Sequence, residues 1–318
     1  MSFTVKEVAV NDSLLLFEMM EEYSNETNFK NITFANTRSS FIRDCFEEKS
    51  NVKFLVAEFN GNFLGYCAFQ YPYDVFKDSY THINEIYVKK EYRKIGVALF
   101  LFSKIIDDAL KNESSTITWN VDVSDVKLLE IQKKIGATVN EDVLILHAFK
   151  EGLDRFLKAT PLNNAIEVHF AKNYELPDIY DCIAELAKIT KNDIDTDVYK
   201  LMKNGFSIHK KFKILTTTLN DEVTGFMSFY HSYNTGCGKS LVVDKAFIKK
   251  EFRKKGLGQA LLLKLFDYAV KNNFQSVETS ISKFEVEKIE QLKEFEIYPY
   301  NNLRIATYKK EAFKEFHK

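Results

Sequence analysis

Apolar residues recur along this chain with two periods, and the periods alternate. Period-two alternation predicts strands at 3–10, 52–59, 63–70, 82–88, 116–121 and 143–149. Helical spacing predicts helices at 13–22, 37–48, 96–111 and 126–135, with Asn11-Asp12 and Asn36-Thr37 as starting caps. The turn Asn60-Gly61-Asn62 joins two of the strands as a hairpin. A second series follows, with strands at 166–170, 212–219, 222–230, 241–248, 276–281 and 303–309. Its helices fall at 176–189, 256–271 and 285–295. Between the series, Pro161 and Asn163-Asn164 act as breakers, and 153–157 reads as a short helix.

The second series is the first one repeated. Shifted by 160 residues, Tyr87-Val88-Lys89-Lys90-Glu91-Tyr92-Arg93-Lys94-Ile95-Gly96-Val97-Ala98 falls on Phe247-Ile248-Lys249-Lys250-Glu251-Phe252-Arg253-Lys254-Lys255-Gly256-Leu257-Gly258. Six of these twelve positions are identical, and the same offset pairs Gly65 with Gly225 and Lys133 with Lys293. One long period in two copies argues for tandem globular domains rather than a solenoid. The expected division is a first domain at 1–150, a linker at 151–163 and a second domain at 164–318.

Composition narrows the class. With 45% hydrophobic and 14% aromatic residues the chain carries a sizeable core, which excludes a mainly disordered protein. Its 11 Gly and 4 Pro exclude a collagen-like one. No apolar run approaches the roughly 20 residues of a membrane helix, and the N-terminus lacks a basic-then-apolar signal pattern. A cytoplasmic protein with no membrane association is therefore expected. The four cysteines, Cys45, Cys67, Cys182 and Cys237, are scattered, and reduced buried thiols are expected. The six histidines show no metal-ligand spacing, so no metal is expected.

The net charge of −1 argues against a nucleic-acid partner. It conceals a cancellation: residues 1–159 hold 19 Lys/Arg and 24 Asp/Glu, and residues 160–318 hold 25 and 21. One unit is acidic and the other basic.

The candidate chemistry lies at the start of each long helix. Arg93-Lys94-Ile95-Gly96-Val97-Ala98 and Arg253-Lys254-Lys255-Gly256-Leu257-Gly258 both follow a strand and open a helix. A helix N-terminus offers unpaired N–H groups and a positive dipole end, and glycine lets an anion approach the backbone. Such a turn suits a pyrophosphate. One copy is a weak signal; two at matched junctions are a strong one.

With this motif the sequence resembles the GNAT family of acyl-CoA-dependent N-acyltransferases, over nearly the whole chain and twice. The resemblance implies an α/β (α+β mixed) protein of two tandem folds, each a mixed, mostly antiparallel sheet flanked by helices. The first unit is similar to the diamine (spermidine/spermine) acetyltransferase branch in Tyr73-Asp74, in Ile83-Asn84-Glu85-Ile86-Tyr87-Val88 and in Lys133-Lys134-Ile135-Gly136-Ala137. Acetyl-CoA is the implied co-substrate. Its pantetheine arm would bond the backbone of Ile86-Tyr87-Val88 and Ala246-Phe247-Ile248, through Ile86, Val88, Ala246 and Ile248. Its pyrophosphate would take amides from Arg93 to Ala98 and from Arg253 to Gly258. Glu85 stands where many family members keep an acid that accepts the amine's proton; an ordinary polar residue on a half-exposed strand is the competing reading.

Both units depart from the family pattern. The helix expected to carry a tyrosine acid has Asp125 and Gln132 in the first unit, and Glu285 and Leu292 in the second. Lys245 replaces the acid at the Glu85 position, beside Asp244; Tyr298 and Tyr300 are phenols that could stand in, with core or edge packing the favoured reading for both. The aromatic set Tyr71, Tyr73, Phe76 and Tyr80 reads equally as an acceptor-pocket wall or a packed loop. The expected function is acetyl transfer to a primary amine: polyamine-like, small, or a lysine. The alternative is a catalytically weak tandem protein that binds CoA or acyl-CoA as a structural or sensing ligand. A peptide-bridge transferase using aminoacyl-tRNA is disfavoured by the compact chain. A monomer or homodimer is expected.

Overall fold

The computed structural model describes residues 3–27, 36–47, 51–161, 165–208, 210–220 and 222–313. His209, His317, Phe316 and the Asn163-Asn164 breaker lie outside these residues.

The first series gives β1 (Thr4–Glu7), α1 (Ser13–Thr27), α2 (Arg38–Ile42), β2 (Val52–Phe59) and β3 (Asn62–Gln70). A short ribbon, β4 (Tyr73–Asp74) and β5 (Asp78–Ser79), precedes β6 (Thr81–Val88). Then come α3 (Val97–Lys111), β7 (Thr116–Asp122), α4 (Val126–Lys134), β8 (Thr138–Asn140) and β9 (Val143–Phe149). Helix α5 (Lys150–Ala159) leads to β10 (Glu167–Phe170), α6 (Leu176–Thr190), α7 (Val198–Gly205), β11 (Lys213–Leu219), β12 (Glu222–Asn234) and β13 (Gly238–Ile248). The chain ends in α8 (Leu257–Lys271), β14 (Ser276–Ser282), β15 (Tyr298–Tyr300), β16 (Leu303–Lys309) and α9 (Lys310–Phe313).

Two expected helices take another form. Lys283–Phe295 winds as successive 3₁₀ turns, and the 37–48 stretch is one α-turn running into a π-turn at Arg43–Glu47. Helix α7 went unpredicted; Asp197 caps it by accepting from the Lys200 amide.

Two seven-stranded mixed sheets form, each with one parallel pair, as expected. Their composition departs from the division at 150. The first sheet runs β1-β2-β3-β6-β7-β16-β8 and the second runs β10-β11-β12-β13-β14-β9-β15. Each unit's last long strand has therefore moved into the other unit's sheet. The chain crosses at Glu141-Asp142 and returns at Asn301-Asn302. Where a hairpin would fold the strand back, each connection carries it onward to an equivalent edge, and equivalent edges accept it alike. The 151–163 linker is corrected too: it is mostly α5, whose Leu153 and Phe156 are fully packed into the second unit's core. Conversely, Tyr308 and Phe313 from the chain's end complete the first unit's core.

Two matched irregularities shape each sheet. Ala68 pairs with Glu85 and Phe69 with Ile83, so Asn84 is a bulge in β6. Ser228 pairs with Lys245 and Phe229 with Val243, which makes Asp244 the equivalent bulge in β13. Beneath each bulged strand lies a glycine, because a Cβ on Gly65 would stand 2.4 Å from the Tyr87 carbonyl, and one on Gly225 2.5 Å from that of Phe247. The parallel pairing of β6 with β7 stops at Ile83↔Trp119, and that of β13 with β14 at Val243↔Thr279. Beyond, residues 84–88 and 244–248 have no strand partner on that side among the described residues.

The units interlock through their hairpins. Tyr73, Val75 and Phe76 are buried in a second-unit core, and Tyr73 stacks on Phe212 at 4.7 Å. In return Tyr233 is buried in a first-unit core. The Tyr73 and Tyr233 hydroxyls bond Thr196 and Asn36, positions related by the same 160-residue shift. Three of the aromatic set before β6 are thus interface packing, with Tyr80 bonded to Tyr230 at 3.2 Å, whereas Tyr71 packs on the first unit's own core and bonds Asp108. All four cysteines are buried and none is part of a disulfide.

Candidate active site

The two glycine turns have one geometry. Lys94 (φ +66°) and Gly96 (φ +92°) are both left-handed, as are Lys254 (φ +62°) and Gly256 (φ +83°). Gly96 opens α3 with no side-chain cap, and the first amide taken up by the helix is that of Phe100, on the Gly96 carbonyl at 3.0 Å. In α8 Ala260 bonds Gly256 in the same way, at 2.9 Å. The amides of Lys94, Ile95, Gly96, Val97 and Ala98 have no acceptor among the described residues, nor do those of Lys254, Lys255, Gly256, Leu257 and Gly258. Val97 and Leu257 turn buried side chains to the core, which fixes the helix while leaving its N–H groups outward. A Cβ on Gly96 or Gly258 would meet nothing within 4 Å, so the approach is open. These features fit a bound anion.

The arginines have another role than rim charge. The amides of Arg93 and Arg253 already donate to Lys90 and Lys250, each at 3.3 Å. Their Nε atoms donate to the Val88 carbonyl (2.8 Å) and the Ile248 carbonyl (2.9 Å). Their guanidinium groups lie over the rings of Tyr87 and Phe247, at 5.7 and 5.5 Å. Each arginine thus ties its turn to the strand before it, and the available amides begin one residue later than expected. The turns differ in charge. Glu26 on α1 accepts from Arg93 at 2.5 Å and from the Tyr87 hydroxyl at 3.0 Å, and lies 3.7 Å from Lys90. No such carboxylate pairs with Arg253, Lys254 or Lys255 among the described residues.

Glu85 and Lys245 occupy the same position on β6 and β13. Glu85 is buried and accepts two hydrogen bonds, from the Tyr66 hydroxyl on β3 and from the Thr235 hydroxyl of the second unit. Burial pushes its carboxyl up to about 7, although both hydroxyls favour the ionised form. In the second unit burial lowers the Lys245 ammonium, but Asp244 (2.5 Å) and Asp74 of the first unit (3.2 Å) more than offset this and hold it charged. The Val75 amide and the Ser228 hydroxyl also bond Asp244, so this position is closed by the first unit's ribbon.

A cavity of about 460 Å³ opens beside Glu85, between the units. Asn84, Glu85, Ile86, Asn120, Asp122 and Leu128 line it from the first unit. Opposite are the 232–236 hairpin, Glu278, Tyr300 and the exchanged His147. Its carboxylates are Glu85, Asp122, Asp125 and Glu278, and no Lys or Arg lines it among the described residues. Burial works against the charge of Glu278, but His147, bonded to it through Nε2, more than offsets this and holds its carboxyl below the usual range. Burial lowers the imidazole of His82, which bonds Thr118 at 2.9 Å.

Tyr300, one of the two phenols named for the second unit, stays on β15 in the second sheet and lines the cavity between the units; its hydroxyl is buried with no partner among the described residues, and burial pushes it up to about 12. Asp125 caps α4 by accepting from Leu128, and Gln132 is buried, so neither supplies an acid. Sequence reasoning missed Thr235, Tyr66, His147 and Glu278. The 160-residue shift pairs Thr235 with Val75, an unlike pair that carries no signal of its own.

Comparison with known proteins follows the same lines. The model of the acetyltransferase (GNAT) family matches residues 16–137 and 178–286, well over half of the chain. Among solved structures, a tandem GNAT protein from the clavulanic acid biosynthesis pathway aligns over 97% of this chain and 99% of its own, with TM-score 0.52 and 13% identity. A GCN5-related N-acetyltransferase from Sphaerobacter thermophilus aligns over 97% and 96%, with TM-score 0.56 and 11% identity. The N-myristoyltransferase of Saccharomyces cerevisiae aligns over 97% and 80%, with TM-score 0.52 and 12% identity. These likenesses are of fold. No described helix is long and apolar enough to cross a membrane.

Proposed function

The chain belongs to the acetyltransferase (GNAT) family, and from that premise we propose that its first unit transfers an acetyl group from acetyl-CoA to a primary amine, with Glu85 as the base. The observation that carries this reading is Glu85 itself. It is a buried carboxyl raised to about 7, beside the edge of β6 that no described strand pairs, on a cavity lined by three further carboxylates and, among the described residues, by no Lys or Arg. Such a cavity attracts a cationic acceptor and repels an anionic one.

Residue roles follow. The amides from Lys94 to Ala98 would hold the pyrophosphate, and the free edge at Ile86, Tyr87 and Val88 the pantetheine arm. Bound acetyl-CoA supplies the activated acetyl group. An alkylammonium near pKa 10.4 is no nucleophile until it gives up a proton, and Glu85, which lines the cavity, would take it as the lone pair is released. A thiolate of ordinary pKa near 8.5 departs without an obligatory acid. Small amines, polyamine-like amines and lysine side chains all fit this chemistry.

The second unit is assigned a different task. With Lys245 in place of the base and an anion turn that no carboxylate among the described residues pairs with, it is suited to binding acyl-CoA through residues 246–248 and 254–258 without amine chemistry. A thiol-release assay over an amine panel tests the first reading, with calorimetry to count bound acetyl-CoA. Release that depends on Glu85 supports it; bound acetyl-CoA with no release for any amine overturns it. Binding stoichiometry of two supports the role given to the second unit.

A further inference from the structure

The second unit lacks a base of its own, yet it contributes a side chain to the first unit's base. We propose that Thr235 is a positioning residue supplied by the second unit across the interface, so that the duplicated unit is retained because it completes the first unit's site. This rests on Glu85 acting as the base.

The geometry supports it from three sides. Thr235 is buried, and its hydroxyl donates to Oε2 of Glu85 while Tyr66 takes Oε1. Both carboxylate oxygens are thereby fixed, one by each unit. The hairpin that carries Thr235 is built to stay in place. Asn234 Oδ1 accepts from the amides of Gly236 (2.9 Å) and Cys237 (3.1 Å), which sets the turn. Gly238 lies at φ +103°, a conformation that favours glycine.

The first unit grips the same turn. Asn36 Nδ2 donates to the Thr235 carbonyl at 3.3 Å and to the Tyr233 hydroxyl, and the Asn36 amide donates to Gly236 at 3.2 Å. Asn84 Nδ2 donates to the Tyr233 carbonyl at 2.8 Å. So the bulge residue next to the base holds the hairpin that orients the base. In the reciprocal contact Val75, the equivalent of Thr235, gives only its amide to Asp244. A hydroxyl on one side and an amide on the other distinguish a working base from a closed position.

Tyr66 and Cys67 on β3 and Tyr23 on α1 interact with Glu85, and burial keeps all three neutral at ordinary pH; His82, Asp122, Asp125, His147 and Glu278 line the same cavity. Thr235 and Tyr66 are therefore the groups that favour the carboxylate. Thr235→Val keeps the shape and removes the donor.

The test is the pH dependence of the Thr235→Val to wild-type ratio of kcat/KM, which cancels the amine's own ionisation. A lost bond to a charged group moves the Glu85 midpoint up by about one unit. The ratio is then about one-fifth at pH 7 and approaches one above about pH 9. Thr235→Ser restores the wild-type profile. In parallel, the Glu85 carboxyl is titrated by carbon-13 NMR, assigned with Glu85→Gln. An unmoved NMR midpoint, or a ratio constant across pH, overturns the positioning role. If wild type releases no thiol for any amine, the amine reading fails, while the NMR midpoint still decides whether Thr235 governs Glu85.

Discussion

Glu85 and Lys245 stand at one register of equivalent strands, opposite Ala68 and Ser228, and carry opposite charges. Each lies next to a bulge, and each is reached by the other unit's hairpin, Glu85 by Thr235 and Lys245 by Asp74. The fold therefore built the same position twice and the sequence used it in two ways. At Glu85 the neighbours are hydroxyls, which leave the carboxyl able to gain and lose a proton near neutrality. At Lys245 the neighbours are carboxylates, which hold the ammonium permanently charged.

Glu85→Gln should abolish most activity and yet stabilise the fold. Loss of a general base lowers kcat by about 10²- to 10⁴-fold. The folded-state carboxyl lies at about 7 against an ordinary 4.5, so folding disfavours its charge. The penalty is absent below about pH 4.5, grows as pH rises, and reaches about 3 kcal/mol above pH 7. Denaturant unfolding at pH 5 and pH 8 checks this. The variant should gain over wild type only at the higher pH; equal gains at both would show that the group is not raised.

Lys245→Met should cost stability rather than chemistry. Removing the ammonium leaves Asp244 and Asp74 facing each other across the interface, and breaking a buried pair in this way costs about 3–5 kcal/mol. Adding Asp244→Asn should recover most of the loss. The urea midpoints of the two variants decide it, and thiol release per folded molecule should change little in either.

Much of this was legible in the sequence, and the unread part has a physical cause. Strand and helix periods placed the long strands and long helices but not α7 or the short β4, β5, β8 and β15, and the 160-residue shift exposed the duplication because both cores repeat the same spacing. The Arg93 and Arg253 turns were legible because a left-handed glycine at a helix start leaves a sequence mark. The strand 143–149 was legible as a strand but not as a member of the second sheet. Alternation says which face is buried and nothing about which of two equivalent edges receives the strand. His147 read as bland for that reason: its partner Glu278 is 131 residues away in the other unit. Thr235 carries no charge and no motif, so only its contact with Glu85 reveals it.

Glu26→Gln should tighten acyl-CoA binding to the first unit. Glu26 holds Arg93 and lies near Lys90, so its charge opposes an incoming pyrophosphate. Burial works against that charge, but Arg93 and Tyr87 more than offset it and hold the carboxyl below its usual range, so it is ionised throughout the working pH range. Removing it should lower the first-unit Kd roughly three- to tenfold in low salt, an advantage that fades near 1 M salt. Calorimetry with CoA in 20 mM and 1 M salt reads this, with the second-unit site as internal control. Weaker binding would mean that Glu26 serves to shape the turn.

Separating the units should fail in a specific way. A fragment of residues 1–160 keeps β7 but lacks β16, which pairs with it from Leu303↔Asp122 to Lys309↔Thr116. The same fragment keeps β9 but lacks β14 and β15, which pair with it, so Leu144, Ile145, Leu146 and Ala148, buried in the full chain, lose their neighbouring strands. It therefore presents an open sheet edge and an unpaired apolar strand together, the combination that drives strand-mediated association. The fragment 161–318 has the mirror defect with β14 and β16. Each fragment alone should form dimers or larger species by size-exclusion chromatography, through exchange of its own last strand with another copy. Expressed together they should form a one-to-one complex, because each supplies the strand that the other lacks. Fragments that remain folded monomers would show that β9 and β16 can fold back onto their own sheets, and that the exchange is one of two arrangements of similar free energy.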